Sequence, residues 1–162
     1  GISFDESFYL DIETRRQADV AMRRVLYQRY GSIGMGEADP QPRPVIGSQH
    51  VAGGFVIPAL LGAKILFAPD AAPQPYPLKL TPEQVEAFEI PDFRSTWPMN
   101  RLIEQMDVLE AQYCSRENGR QRSQCLVGDL NTDGLLNAAY HLYGQDLLSD
   151  MFLQPQRANR LL

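Results

Sequence analysis

The stretch that decides the fold is Cys125-Leu126-Val127-Gly128-Asp129-Leu130-Asn131-Thr132-Asp133-Gly134, followed by Leu135-Leu136-Asn137-Ala138-Ala139-Tyr140-His141-Leu142-Tyr143-Gly144. Its short apolar run, Cys125-Leu126-Val127, predicts a strand that ends at the following Gly-Asp pair. A polar loop comes next, and helix propensity then resumes until Gly144 ends the helix. A strand, a polar loop and a helix in this order indicate a parallel α/β protein.

Short strands and helices alternate upstream of this stretch as well. Val45-Ile46 predicts a strand, Phe55 to Leu61 a short helix, and Ala63 to Ala68 a buried strand. Further along, Thr81-Pro82-Glu83-Gln84 combines a cap, a proline and a capping-box glutamine, which predicts the start of a helix. Two or three strands separated by helices are the order expected of a parallel sheet.

Apolar residues at helical spacing predict the longer helices. Asp11 to Tyr30 places Ala18, Met22, Val25 and Leu26 on one stripe, with the paired arginines at 15–16 and 23–24 mostly on the solvated side. The clearest helix begins near Pro98 and carries one buried stripe of Met99, Leu102, Ile103, Met106, Leu109 and Tyr113. Two further helices are predicted, one over residues 146–152 and one that begins at Pro155.

Charge and composition exclude several classes of partner. The chain has 162 residues, and its 15 Lys and Arg against 20 Asp and Glu argue against binding nucleic acid or an anionic membrane. No apolar run is long enough to span a bilayer, and Gly1 to Glu6 lacks the pattern of a signal peptide. Cys114 and Cys125 are interpreted as buried thiols, so we expect a cytoplasmic, reduced setting.

Polar residues that follow the predicted strands are the candidate site residues. Asp129 and Asn131 come after one strand, and His50 comes after Val45-Ile46. Because α/β proteins place their chemistry at the carboxyl ends of parallel strands, we expect Asp129 and Asn131 to bind substrate. His50 is a candidate base or hydrogen-bond donor, with a surface or capping role as the alternative. His141 lies inside a helix and is interpreted as structural.

The same loop also matches the front half of an EF-hand or dockerin-like calcium loop. Oxygen-bearing side chains alternate around a glycine, as a hard cation requires, but Tyr140 stands where the bidentate acid should be. A calcium-binding interaction domain is therefore an alternative, and a strand-to-helix loop that uses Asp, Asn and Gly for turns and capping is another. The matching residues are Asp129, Asn131, Asp133, Gly134 and Asn137.

Three segments taken together resemble the N-terminal half of the uroporphyrinogen decarboxylase superfamily, which includes the cobamide-dependent methyltransferases. The resemblance spans about residues 45–162 and depends on the order and spacing of the segments. The segments are Ile57-Pro58-Ala59-Leu60-Leu61-Gly62 with Lys64-Ile65-Leu66-Phe67; Leu80-Thr81-Pro82-Glu83-Gln84 with Ile90-Pro91-Asp92; and Val127 to Asn131 through Ala139, with Tyr143 to Leu148 and Asp150-Met151.

The resemblance implies a (β/α)8 barrel with its cleft at the carboxyl ends of the strands. Such a barrel needs eight strands and roughly 200 residues or more. We therefore predict an α/β fold, the incomplete N-terminal part of a (β/α)8 TIM barrel, with a helical and irregular lead-in at 1–44 and the truncated barrel portion at 45–162. A missing C-terminal half, a partner chain or a homodimer would complete it, and this chain alone is expected to be inactive.

The resemblance also implies an activity. The methyltransferase branch looks closer, because it shares the Gly-Asp-Leu-Asn loop at 128–131 and the Pro-rich approach at 73–77 to the Thr-Pro-Glu helix. The decarboxylases have a pyrrole-facing aspartate where this chain has Gly53, which weakens a decarboxylase assignment. The methyltransferase branch implies a corrinoid as co-substrate, a thiol acceptor, and a zinc ion held by residues absent from this chain. Tyr140 before Gly144 resembles a family tyrosine and joins His50 as a candidate catalytic residue. Tetrapyrrole decarboxylation is the enzyme alternative, and a half-barrel interaction domain is a non-catalytic one.

Overall fold

A computed structural model describes residues 1–47, 54–114, 125–130 and 132–162 and shows a mixed α/β protein. Within this part of the chain the strands form two two-stranded sheets, β1 with β4 and β2 with β3, and no closed barrel. The elements are α1 (Glu6–Leu10), α2 (Ile12–Tyr30), β1 (Val45–Gly47), α3 (Val56–Leu60), β2 (Lys64–Ala68), β3 (Ala71–Tyr76), α4 (Pro82–Glu86), α5 (Met99–Tyr113), β4 (Val127–Asp129), α6 (Leu135–Tyr143), α7 (Asp146–Leu153) and α8 (Pro155–Asn159).

Local sequence patterns located most of these elements correctly. The capping box at the start of α4 is present, with the Thr81 side chain accepting from the Gln84 amide and the Gln84 side chain accepting from the Thr81 amide. The long helices α2 and α5 lie where the spacing predicts them, and β1 and β4 pair in parallel. The predicted α/β class is confirmed, whereas α1, capped by Asp5, was not predicted.

The strand β2 was predicted correctly, but its predicted burial is wrong. Its side chains are exposed or half-buried, and Leu66 is 48% exposed. It pairs with β3 across the two-residue connection Pro69-Asp70, which is long enough only for an antiparallel hairpin. Two prolines in β3, Pro73 and Pro75, are typical of an edge strand, because proline cannot donate to a neighbouring strand.

The chain divides into two compact units that interleave along the sequence. The first comprises Gly1–Ala52, Phe67–Ala72 and Arg101–Leu130, and the second comprises Gly53–Leu66, Pro73–Asn100 and Asn131–Leu162. The predicted boundary between 1–44 and 45–162 is a different division, and it stays a prediction. The second unit has a core that joins α4, α6, α7 and α8, made of Val85, Ala139, Leu142, Tyr143, Leu147, Ala158 and Leu161.

The buried face of α2 in the first unit differs from the predicted apolar stripe. Ala18 is buried as predicted, but Val25 and Leu26 are exposed, while Arg15 and Arg23 are buried. The prediction that both arginine pairs lie mostly on the solvated side is therefore wrong for one member of each pair. Burial of a guanidinium is tolerated where its N–H groups find acceptors, and both arginines have them.

Arg15 connects three elements of the first unit. It donates to the Oε1 atom of Gln105 in α5 at 2.9 Å, to the carbonyl of Val45 in β1 at 3.3 Å, and to the carbonyl of Tyr9 in α1. Gln105 in turn donates to the carbonyl of Leu10 at 2.6 Å. Burial lowers the pKa of the Arg15 guanidinium to about 10, so it remains charged at neutral pH. A charged donor therefore holds together the meeting point of α1, α2, β1 and α5.

The N–H groups of Arg23, on the same helix, find their acceptors in a second cluster of charged side chains. Its guanidinium contacts the Asp19 carboxylate at 2.7 Å and the Glu37 carboxylate at 2.7 Å. Arg43 reaches Asp19 from the segment before β1, at 2.8 Å. These contacts attach the irregular lead-in after α2 to the helix, which explains why that segment needs no regular secondary structure.

Two glycines set the close approach of β1 and β4. Val45 pairs with Val127 and Gly47 with Asp129. Gly47 has φ +67° and Gly128 has φ +110°, and a Cβ at either position would overlap the backbone carbonyl of the facing strand, at Asp129 and Ile46 respectively. The backbones therefore meet at a distance that only glycine permits.

Cys114 and Cys125 form a disulfide, so the prediction that they are buried free thiols is wrong. Their Cα atoms lie 5.8 Å apart, within the usual range for a disulfide. The bond joins the residue after α5 to the segment that enters β4. No sequence pattern indicated it, because two cysteines alone do not reveal whether the fold brings them together.

We predict that Gly128→Ala lowers the free energy of unfolding by at least about 2 kcal/mol, because it adds both positive-φ strain and a clash with β1. The control is Gly134→Ala, at a position with φ −64° and open space around it, which we expect to cost about 0.5 kcal/mol or less. Urea unfolding of both variants measures the difference. Equal stabilities would contradict the close approach of β1 and β4.

We predict that Arg15→Met lowers the free energy of unfolding by about 2 kcal/mol or more, because it removes the donor to Gln105 and to two buried carbonyls while nearly keeping the side-chain volume. Arg24→Met, at an exposed position of the same helix, is the matched control and is expected to be nearly neutral. Thermal and urea unfolding would measure both. A stable Arg15→Met variant would show that the buried charge does not hold this junction.

Candidate functional site

The four predicted site residues fall into three groups. His50 and Asn131 lie outside the described residues, so their predicted roles stay predictions. Asp129 is the last residue of β4 in the first unit and is half-buried. Tyr140 lies on α6 in the second unit and is 37% exposed. Asp129 and Tyr140 are therefore considered separately, each within its own unit.

Asp129 lies at the carboxyl end of a parallel strand pair. Its register partner Gly47 is also the last residue of its strand, so β1 and β4 end side by side. Asp129 was predicted to follow a strand of Cys125 to Val127, but the strand covers Val127–Asp129 and Asp129 is its last residue. Such a position is where α/β proteins bring polar side chains to a ligand.

Tyr140 lines a cleft of about 440 Å³ in the second unit. The other lining residues include the cation Lys79, the polar Gln145 and the acid Asp146, together with the apolar Pro77 and Leu80. This set combines a hydroxyl, a cation, a carboxylate and an apolar wall. It is chemically suited to orient a small polar substrate by hydrogen bonds and charge.

The end of α6 positions one wall of this cleft. The amides of Leu78 and Leu80 donate to the carbonyls of His141 and Leu142, both at 2.9 Å, and so satisfy acceptors that the helix itself leaves free. Lys79 lies between them with φ +54°, a left-handed conformation. Its positive charge is favoured beside the carboxyl end of a helix.

A buried cluster of polar side chains stabilises the helices that form the cleft. The Tyr143 hydroxyl donates to Oδ2 of Asp150 at 2.8 Å, and Arg157 donates to the same oxygen at 3.0 Å. Arg157 also contacts Glu86 at 3.4 Å. Burial, followed by the bond to Asp150, raises the pKa of Tyr143, while the bond from Tyr143 contributes most to lowering the pKa of Asp150. The cluster joins α4, α6, α7 and α8 and fixes the helix that carries Tyr140.

Asp133 and His141 form a pair that sequence reasoning missed. Nε2 of His141 lies 3.6 Å from Oδ2 of Asp133, and both side chains are largely buried. Burial raises the pKa of Asp133, against the opposing charge of His141. A Cβ at Gly54 would overlap the Asp133 carboxylate, which would have to shift to make room. The only sequence signal is an acid just before α6 and a histidine about two helical turns into it.

In the part of the chain that the structure describes, no cluster of possible metal ligands supports the calcium-binding alternative. There, no group of three or more His, Cys, Asp and Glu side chains is arranged to hold a metal ion. Asn131, a central ligand of the predicted calcium loop, lies outside the described residues, so this alternative stays a prediction.

Comparisons with known proteins provide no family for this chain. No protein-family model matches it, and neither a curated protein nor a solved structure matches at a significant level. Among the described residues, no helix has the length and hydropathy needed to cross a membrane.

We predict that the cluster around Asp150 makes stability depend on pH in the acid range. Because the pKa of Asp150 is lowered in the folded protein, its contribution is complete above its ordinary pKa and is lost as the pH falls below about 4. Asp150→Asn should therefore show a smaller drop in melting temperature between pH 7 and pH 3 than the parent protein. Asp107→Asn, at an exposed position of α5, is the control and should follow the parent. Identical pH profiles for all three proteins would contradict this role of Asp150.

Proposed function

We propose that this chain is the N-terminal part of a uroporphyrinogen-decarboxylase-like (β/α)8 barrel that transfers a methyl group from a corrinoid to a thiol. The observation that carries the proposal is the parallel pairing of β1 with β4, whose connection runs through α3, the β2–β3 hairpin, α4 and α5. Parallel strands joined through helices are the repeating unit of such barrels. The segments that resemble this superfamily coincide with these elements.

The position of Asp129 supports the proposal of a cleft at the carboxyl ends of the strands. Asp129 ends β4 beside the end of β1, and Asn131 and His50 follow those two strands in the sequence. Asp129 and Asn131 would orient the substrate through hydrogen bonds, and His50 would carry a proton. These roles use polar groups placed where barrel enzymes perform their chemistry.

Tyr140 supports the proposal from the second unit. It lies next to Lys79, Gln145 and Asp146 on the wall of the 440 Å³ cleft, on a helix held by the Tyr143–Asp150–Arg157 cluster. In the proposal its hydroxyl donates a hydrogen bond to substrate. The nearby cation and carboxylate would fix the orientation of a charged ligand.

Exposed apolar side chains support the expectation that further structure completes the barrel. Leu148, Met151 and Phe152 share one face of α7 and are 47%, 42% and 87% exposed. In the first unit, Ile33 is 73% exposed. Large apolar side chains on one face are typical of surfaces that another part of a protein covers. A C-terminal half, a partner chain or a second copy would serve.

The zinc ion that the resemblance implies does not fit the residues described here. Cys114 and Cys125 are joined in a disulfide, so neither sulfur is available as a thiolate ligand. In the proposal the metal is held by residues outside this chain. The contribution of this chain is to bind and orient substrate and to move a proton.

The proposal predicts that the full-length protein containing this chain transfers a methyl group from a methylcorrinoid to a thiol. Tyr140→Phe should lower the rate by about 10- to 100-fold, because it removes a polar contact to the substrate from the cleft of the second unit. Tyr30→Phe, a half-exposed tyrosine at the end of α2, is the control and should keep the parent rate. Corrinoid absorbance and mass spectrometry of the thioether product follow the reaction.

Three other results would each overturn methyl transfer. Release of CO2 from uroporphyrinogen would favour the tetrapyrrole decarboxylase. Inactivity in both assays would remove both enzymes. Micromolar calcium binding that Asp129→Ala abolishes, measured by calorimetry on the inactive protein, would favour the interaction domain.

A further inference from the structure

The disulfide between Cys114 and Cys125 lies at a junction of the first unit. The Cys114 amide donates to the Glu110 carbonyl at 2.9 Å, so this residue continues the last turn of α5. Cys125 stands two residues before the start of β4. Both cysteines are half-buried, which leaves the bond within reach of a small thiol.

The two elements that the bond joins are held in different ways. The helix α5 is anchored by the buried Leu102, Gln105 and Leu109. By contrast, β4 is only three residues long, and its side chains are half-buried. Backbone bonds to β1 and to the residue before it hold it, including the one from the Val127 amide to the Pro44 carbonyl at 2.8 Å. The disulfide therefore attaches a short strand, held by its backbone, to a helix held by its buried side chains.

We propose that Cys114 and Cys125 form a reversible redox site whose disulfide clamps β4, and with it Asp129, against the first unit. The bond forms by exchange with a low-molecular-weight disulfide such as oxidised glutathione. One cysteine thiolate attacks a glutathione sulfur, forms a mixed disulfide and releases one glutathione thiolate. The second cysteine thiolate then attacks the protein sulfur of that mixed disulfide and releases the second glutathione. The two protein sulfurs are oxidised, and the two glutathione sulfurs are reduced and take up the protons.

The length of the loop that the disulfide closes and the redox state of a reducing compartment favour a reversible clamp over a disulfide that only stabilises the fold. The cysteines are 11 positions apart, so the bond closes a short loop and removes less entropy from the unfolded chain than a long-range disulfide would. In a reducing compartment, disulfides are typically transient and redox-sensing. A half-buried bond beside a three-residue strand has the access and the local effect that a switch requires.

The first test measures the redox equilibrium of the pair in the full-length protein. The protein is equilibrated in glutathione buffers from fully reducing to fully oxidising, trapped with an alkylating reagent, and analysed by peptide mass spectrometry. We expect both cysteines to convert together from alkylated to bonded within this range. Full alkylation in the most oxidising buffer, or a bond that persists in the most reducing one, would each overturn the reversible site.

The second test measures the clamp by hydrogen exchange. Reduction should raise the exchange rate of the Val127–Asp129 amides by about 10-fold or more, while amides in the middle of α2 stay unchanged as an internal reference. A Cys114→Ser, Cys125→Ser double variant should resemble the reduced parent and should not respond to glutathione. Unchanged exchange in β4 on reduction would show that the bond does not hold the strand. Neither test uses enzymatic activity, so both stand apart from the proposed function.

Discussion

The close approach of β1 and β4 is the constraint on which the first unit depends. Gly47 and Gly128 adopt positive φ values and bring each backbone against a carbonyl of the other strand, where a side chain has no room. This pairing turns two three-residue strands, distant in sequence, into neighbours that end together. Arg15 then uses the Val45 carbonyl of the same pair as an acceptor, so the buried arginine, the helix α2 and the parallel strands form one interdependent arrangement.

The sequence predicted those features that short segments specify by themselves. The capping box at Thr81, the apolar stripe of α5 with buried Leu102 and Leu109, and the helices α6 to α8 all follow from capping, spacing and turn residues. Features that depend on distant partners were missed. The burial of Arg15 requires Gln105, 90 positions away, and the disulfide requires the end of α5 to meet the start of β4.

In the candidate site, too, the sequence did not predict the features that depend on distant partners. The presence of a strand next to Asp129 was predictable from the apolar run before it, but its end was not, because the parallel pairing with β1 extends the strand through Gly128 and Asp129. The surroundings of Tyr140 were not predictable either, because Lys79 reaches the cleft through backbone bonds between the segment around it and the end of α6. The Asp133 carboxylate, which pairs with His141, likewise packs closely against Gly54, about 80 positions away in the sequence. The type of a residue alone does not predict such close contacts between different segments.

The environment of Asp133 helps to choose between the two interpretations of the loop before α6. A calcium ligand must present a charged carboxylate to an ion. The Asp133 carboxylate packs between Gly54 and His141, and burial raises its pKa, so this environment favours the charged form less than water does. The partner of the Asp133 carboxylate is thus His141, a side chain of the helix α6 that follows the loop. This arrangement favours a loop organised around α6, as a strand-to-helix connection of an α/β protein requires.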